Sequence, residues 1–218
     1  MSGAIERVLV FGATGPTGLQ VVEQALQRGL EVTAFVRDPA KLTIDHPRLR
    51  QVTGDILQPD SIDAAFAEPP DAVVLALGIF HKQPETRLST GTAHIVAAMQ
   101  KHGVSRIVAV SSLGAGDSRY QGSLLAKALQ KFLLRHVLDD KTRQEQILRD
   151  SGLNWTALRP PQLTLDASIR DDIVLWTGRP PRRKMTWKVS RATVAKYALD
   201  AAITGAHGNS AVNMSEPV

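Results

Sequence analysis

Residues Val8-Leu9-Val10-Phe11-Gly12-Ala13-Thr14-Gly15-Pro16-Thr17-Gly18 carry an apolar run straight into a loop with glycine at every third position. A helical pattern follows. This layout suits a chain that wraps an anionic pyrophosphate. The buried strand delivers the loop to a sheet edge, and Gly12 permits the tight turn. Gly15 lets the backbone approach phosphate without a Cβ in the way. Gly18 lets the next helix pack close, with its free N–H groups aimed at the anion. The spacing is G-x-x-G-x-x-G rather than G-x-G-x-x-G. A glycine triplet alone also fits an ordinary βα turn. Its place between strand and helix, at the start of a βαβ unit, makes it a dinucleotide signature.

Working outward, strand and helix signals alternate, which predicts an α/β fold. The expected form is a single Rossmann-type, doubly wound parallel sheet with helices on both faces, in one domain over residues 1–218. Strands are expected at Arg7–Phe11, Glu31–Arg37, Leu49–Thr53, Ala72–Leu77, Arg106–Ser111 and Asn154–Arg159. Most are continuous apolar runs, as in strands buried on both faces. Helices are expected at Thr17–Arg28, Pro59–Phe66, Leu88–His102, within Gly122–Asp150, and at Arg191–Ile203. Gly29, Gly103 and Gly152 close helical patterns, and Ser190 suits an N-cap. Residues 160–189 hold four prolines, two tryptophans and short β-like pieces. An irregular C-terminal segment here is expected to fold over the strand ends and face the substrate, together with residues 113–140. Within Tyr120–Leu138 an apolar stripe lies beside Lys127, Lys131 and Arg135. It reads as a helix on the sheet, or as a lid or interface helix.

Composition narrows the function. The 218 residues include no cysteine, which excludes disulfides, thiolate catalysis and cysteine-based metal sites. His46, His81, His94, His102, His136 and His207 show no metal-ligand spacing, so no metal is expected. Residues 1–7 are too short and polar for a signal peptide, and the longest uncharged apolar stretch, Ala72–Phe80, cannot span a bilayer. A cytoplasmic protein is expected, with no membrane partner, as a monomer or homodimer. Lys plus Arg number 26 against 21 Asp plus Glu, for a net charge of +5. The run Arg179-Pro180-Pro181-Arg182-Arg183-Lys184 lacks interleaved aromatics. It reads as a solvated loop, so no nucleic acid is expected.

The second strand ends Ala34-Phe35-Val36-Arg37-Asp38-Pro39-Ala40-Lys41. An acidic residue at this strand end favours NAD, whereas an arginine pairs with the 2′-phosphate of NADP. Arg37 has the planar fork for a phosphate, and Lys41 follows one turn later. NADPH/NADP is therefore expected over NAD, with Asp38 keeping the NAD alternative open. Gly54-Asp55-Ile56 and Ala76-Leu77-Gly78 follow at the next strand ends, where a carboxylate suits an adenine amine and a small turn admits a ribose.

These residues, with Ile95-Val96-Ala97-Ala98-Met99, His102-Gly103-Val104 and Ser151-Gly152-Leu153, resemble the atypical short-chain dehydrogenase/reductases. The likeness is to the NAD(P)H-binding branch that includes biliverdin reductase B (flavin reductase) and the NmrA-like proteins. The resemblance implies cofactor contacts from Gly12, Thr14, Gly15, Pro16, Thr17 and Gly18 at the pyrophosphate. It implies Arg37 and Lys41 at the 2′-phosphate, Asp55 and Ile56 at the adenine, and Leu77 and Gly78 at the ribose. Ser111, Pro160, Pro161 and Gln162 fall beside the nicotinamide. It also implies a small planar acceptor such as a flavin, with bilin or quinone as further options. Gln162 stands where biliverdin reductase B has a histidine, so acid chemistry is lost there and amide hydrogen bonding is kept.

The Tyr-x-x-x-Lys pair of carbonyl-reducing relatives is missing. Leu124 lies four residues after Tyr120, and Ala201 four after Tyr197. Hydride transfer to a stacked planar acceptor needs mainly orientation of two rings. Ser112, Ser111 and Lys141 are the candidates for the remaining polar work. Lys141 and Glu145, spaced i, i+4, fit a helix-surface ion pair, whereas the resemblance implies a lysine near the cofactor at this point. The expected activity is thus an NADPH-dependent flavin-reductase-like oxidoreductase. The alternative is an NmrA-like NADP(H) sensor without turnover. An epimerase or isomerase would normally need the missing tyrosine.

Overall fold

The computed structural model describes residues 5–78, 83–122 and 124–218. Its first half runs β1 (Arg7–Phe11), α1 (Pro16–Gln27), β2 (Glu31–Val36), β3 (Leu49–Thr53), α2 (Pro59–Ala64), β4 (Ala72–Leu75), α3 (Arg87–Lys101) and β5 (Arg106–Val110). The second half runs α4 (Leu124–Phe132), α5 (Arg135–Asp150), β6 (Asn154–Arg159), β7 (Gln162–Thr164), β8 (Val174–Trp176), β9 (Lys188–Ser190), α6 (Arg191–Thr204) and β10 (Ser210–Ser215).

The main sheet has the order β3-β2-β1-β4-β5-β6-β10-β8. All its pairings are parallel except that of β10 with β8. The chain winds outward from β1 to β3, then restarts at β4 on the other side of β1. Between β1 and β4 the connections diverge, which leaves a crevice at their carboxyl ends. Side chains of β1 alternate between two cores. Val8 and Val10 pack with α1 and α6, while Leu9 and Phe11 pack with residues of α2, α3 and α5. The expected Rossmann-type sheet, with helices on both faces, is therefore the observed one.

Helix ends follow local chemistry. Ser190 Oγ accepts from Thr193 N–H at 3.0 Å as the N-cap of α6. Gly29, Gly103 and Gly152 take φ of 79°, 70° and 72° just after their helices.

Three expectations need correction. β10 is a seventh parallel strand, seated between β6 and β8, that periodicity did not show. Residues 160–189 are not simply an irregular wall over the strand ends. They supply β8, an edge strand of the main sheet, and the small parallel pair of β7 with β9. Their link to the crevice side is a small apolar cluster in which Leu113, just past β5, packs with Val174, Trp176 and Met185, and Trp187 joins at its margin. The third correction concerns Tyr120–Leu138, which is not one helix. The chain breaks at Leu133–Leu134, so Arg135 opens α5 instead of extending the row of Lys127 and Lys131. α4 packs against α5, and its last residue, Phe132, is 79% exposed. No helix among the described residues is long and apolar enough to cross a membrane.

Candidate active site

The crevice is a cleft of about 420 Å³ lined by four strand ends and their turns. Gly12, Thr14 and Gly15 supply the β1 turn, Arg37 follows β2, Asp55 and Ile56 follow β3, and Leu77 and Gly78 follow β4. These eight residues, each expected at a cofactor from sequence, are brought together at one site.

The turn is built by steric demand. Gly12 has φ +84°, and a Cβ on it would lie 2.6 Å from the Ala76 carbonyl oxygen. A Cβ on Gly18 would lie 2.0 Å from Gly12 O. Only glycine lets α1 begin this close to the end of β1. A Cβ on Gly15 meets nothing nearer than Gly12 O at 3.3 Å, so space beside that backbone is open. α1 starts there with Pro16 in its first turn, no side-chain cap and no acidic residue in that turn. Its partial positive charge is left unneutralised at the cleft wall, an arrangement suited to phosphate. The tight turn, the open Gly15 backbone and the uncapped helix start all fit a dinucleotide.

The 2′-phosphate question turns on Arg37 and Asp38. Arg37 is exposed and lines the cleft. Asp38 Oδ1 accepts from Ala40 N–H at 3.1 Å, capping the short turn Pro39–Lys41, and its Oδ2 lies 3.7 Å from Lys41 Nζ. The carboxylate that would take ribose hydroxyls is thus engaged in its own turn. Lys41 is absent from the cleft lining and 71% exposed beside Asp38.

Pro16, Thr17 and Gly18 lie in the first turn of α1, with Thr17 and Gly18 buried. Pro160 is buried and its carbonyl accepts from Leu113 N–H, Pro161 is half-buried, and Gln162 is exposed on β7. None of these six lines the cleft. His81 lies outside the described residues.

Below the carboxyl ends of β4 and β5 lies a buried polar network. Lys141 Nζ donates to Val110 O at 2.7 Å and Leu77 O at 3.2 Å, bridging the two strand ends. Glu145 does not pair with it. Glu145 accepts from Arg159 Nε at 3.0 Å and Nη2 at 2.6 Å, and from the Ser111 hydroxyl at 2.5 Å. The i, i+4 surface pair is therefore corrected, because both side chains are buried and face different partners. The Ser111 hydroxyl is turned into the protein, toward Glu145. Ser112 is half-buried and its hydroxyl donates only to Leu113 O at 3.2 Å. Arg159, fully buried at the end of β6, also donates to Asp117 at 2.5 Å. Burial disfavours its charge, but its hydrogen bonds to Glu145 and Asp117 outweigh that and hold it above its ordinary pKa. A cation closing an otherwise apolar strand, Arg159 at the end of β6, is the sequence signal for this network.

Burial lowers the Lys141 pKa to about 8, against the opposing pull of Glu145 and Asp140. The folded protein then binds fewer protons than the unfolded chain between about pH 8 and 10.5. Stability from this group therefore rises with pH across that window, and below it the burial penalty is fully present. Lys141→Met is expected to flatten that rise. Urea midpoints of the two proteins, compared below and above the window, check it.

Asp140, on the same helix, accepts from Leu88 and Ser89 N–H at 3.1 and 3.2 Å and caps the start of α3. Its capping role left no mark in sequence, because the partners are some fifty residues apart. Among the described residues no cluster could hold a metal ion.

The sheet order, the glycine turn at its switch point and the cleft define a dinucleotide-binding Rossmann protein. The model of the NAD(P)H-binding family matches residues 12–204, and the chain belongs to that family. An uncharacterized chloroplastic protein of Arabidopsis thaliana is 31% identical over 207 residues, 90% of this chain and 71% of its own length. The chain spans under half the length of the next three curated relatives it matches. An anaerobilin reductase of Escherichia coli O157:H7 superposes with a TM-score of 0.79 at 26% identity, covering 97% of each chain. A short-chain dehydrogenase/reductase of Veillonella parvula, solved with NADP, shares the fold at TM-score 0.80 and 20% identity, over 98% of this chain and 95% of its own.

Proposed function

We propose that this oxidoreductase uses NADPH to reduce a planar acceptor such as a flavin, with bilin and quinone as further members of that class. The observation that carries the cofactor choice is the division of labour at the end of β2. Arg37 faces the cleft while Asp38 is held by Ala40 and Lys41. The acceptor class is supported by what the chain lacks. Tyr197 donates its hydroxyl to Asp171 O on the α6 side, and no lysine follows either tyrosine at the required spacing. A ketone or alcohol substrate needs a positioned proton donor, whereas a conjugated planar acceptor takes its proton from solvent.

When bound, the reduced nicotinamide would supply the hydride. The chain's own work is positional. The β1 turn and the start of α1 would hold the pyrophosphate, Arg37 the 2′-phosphate, and Asp55 with Ile56 the adenine. Lys141 ties the ends of β4 and β5 together through Leu77 O and Val110 O, fixing the floor at Leu77 and Gly78. Ser112, half-buried just past β5, would offer its hydroxyl to the acceptor.

One observation favours a second reading, the NADP(H) sensor without turnover. The polar atoms of Ser111 and Lys141 are committed to internal partners. Following NADPH absorbance with FMN, riboflavin and a quinone offered separately decides between them. A saturable rate establishes the reductase, and tight binding with no rate overturns it in favour of the sensor. Arg37→Ala is expected to weaken NADPH binding roughly 10- to 100-fold and NADH binding little, since one charge-assisted phosphate contact is lost. Equal loss for both would sink the 2′-phosphate role.

A further inference from the structure

Beyond the strand-end turns, two charged side chains line the cleft, Glu85 and Arg87. Arg87 Nε donates to Glu85 Oε1 at 3.1 Å, and the two side chains are 39% and 37% exposed. Their backbone is fixed from α5. Arg143 Nη2 donates to Glu85 O at 2.8 Å, and Asp140 caps Leu88 and Ser89 N–H. With its second and third amides so capped, the start of α3 has few N–H groups left for an anion. What this wall offers a phosphate is the Arg87 guanidinium.

A carboxylate such as Glu85 in a cleft built for a polyanion opposes binding unless it is neutralised. Arg87 neutralises it in the pair. An exposed ion pair of this kind is weak, about 0–1 kcal/mol, whereas a guanidinium on a phosphate forms charge-assisted, paired hydrogen bonds. Phosphate oxygens therefore compete well for Arg87.

We propose that Arg87 is a phosphate-binding residue of the dinucleotide site, held in readiness by Glu85, and that it exchanges Glu85 for cofactor phosphate on binding. The inference rests on the NADP(H)-binding reading above. Its consequence is that the two residues affect affinity in opposite directions. Glu85 holds Arg87 in the free protein and lowers affinity, while Arg87 raises it.

The test is equilibrium binding of NADPH and NADH by the full chain and by Arg87→Gln and Glu85→Gln, read by fluorescence or calorimetry. Arg87→Gln is expected to bind roughly tenfold more weakly. Glu85→Gln is expected to bind severalfold more tightly, with an affinity that falls more steeply as salt rises. A pair that only braces the start of α3 would give weaker binding in both variants, and that result overturns the exchange. Weaker binding of both cofactors in Arg87→Gln assigns the contact to the pyrophosphate, and loss confined to NADPH assigns it to the 2′-phosphate. Wild-type affinity in Arg87→Gln overturns the inference while leaving the cofactor reading intact. Failure of the unaltered chain to bind either dinucleotide overturns both.

Discussion

Glu145→Ala is expected to lower folding stability by about 3–5 kcal/mol, because it leaves the Arg159 guanidinium buried without its bidentate partner. In a chain of this size that corresponds to a fall of roughly 10 °C or more in the thermal midpoint. Asp117 remains as a partner for Nη1, but its side chain is 66% exposed and cannot replace two buried oxygens. The Ser111 hydroxyl also loses its acceptor. The double variant Glu145→Ala, Arg159→Met removes both charges and is expected to recover a large part of the loss. Thermal and urea unfolding of the two variants measure this. A single-variant cost under about 1 kcal/mol would show that water solvates the pair.

The second large effect lies in the β1 turn, where Gly18→Ala and Gly15→Ala are expected to fail differently. At Gly18 the new methyl would sit 2.0 Å from Gly12 O, a backbone atom that cannot step aside without moving α1. Loss of both stability and dinucleotide binding is expected, with a stability cost on the order of 3 kcal/mol, as for overpacked interiors. At Gly15 the methyl meets one oxygen at 3.3 Å and otherwise enters the cleft. Stability should change by less than about 1 kcal/mol, while binding falls at least tenfold because the methyl stands where phosphate would approach. Unfolding curves and binding isotherms on the two proteins separate these outcomes. Equal destabilisation by both would mean that the turn, and not the ligand, sets the need for glycine at position 15.

Much of this was legible because local pattern and global fold agree along residues 7–112. Continuous apolar runs such as Val8–Phe11 and Ala72–Leu75 belong to strands covered on both faces, and the turns after them carry the cleft residues. The legibility stops where partners are distant in sequence. β10 reads Ser210-Ala211-Val212-Asn213-Met214-Ser215, half polar, and is a strand because β6 and β8 flank it. Its buried Asn213 donates through Nδ2 to Trp176 O, so the amide's donor side is met by tertiary contact. Lys141 and Glu145 looked like a helix pair because spacing reports neighbours on one helix. It cannot report that Arg159 and two strand-end carbonyls are closer. The Glu85–Arg87 pair carries no signal of its own, since the wall it forms exists only once α5 has docked on α3.

The position of β10 also bears on how the chain is made. On a ribosome, β8 emerges well before Ser210–Ser215, the strand that pairs with it in the sheet. At about 5–20 residues per second, β6 and β8 present unpaired edges for seconds. Between β8 and β9 the nascent chain carries Arg179, Arg182, Arg183 and Lys184, with Pro180 and Pro181. Charges and prolines at that place act as gatekeepers against edge-to-edge pairing with other nascent chains until the last strand slides into the sheet.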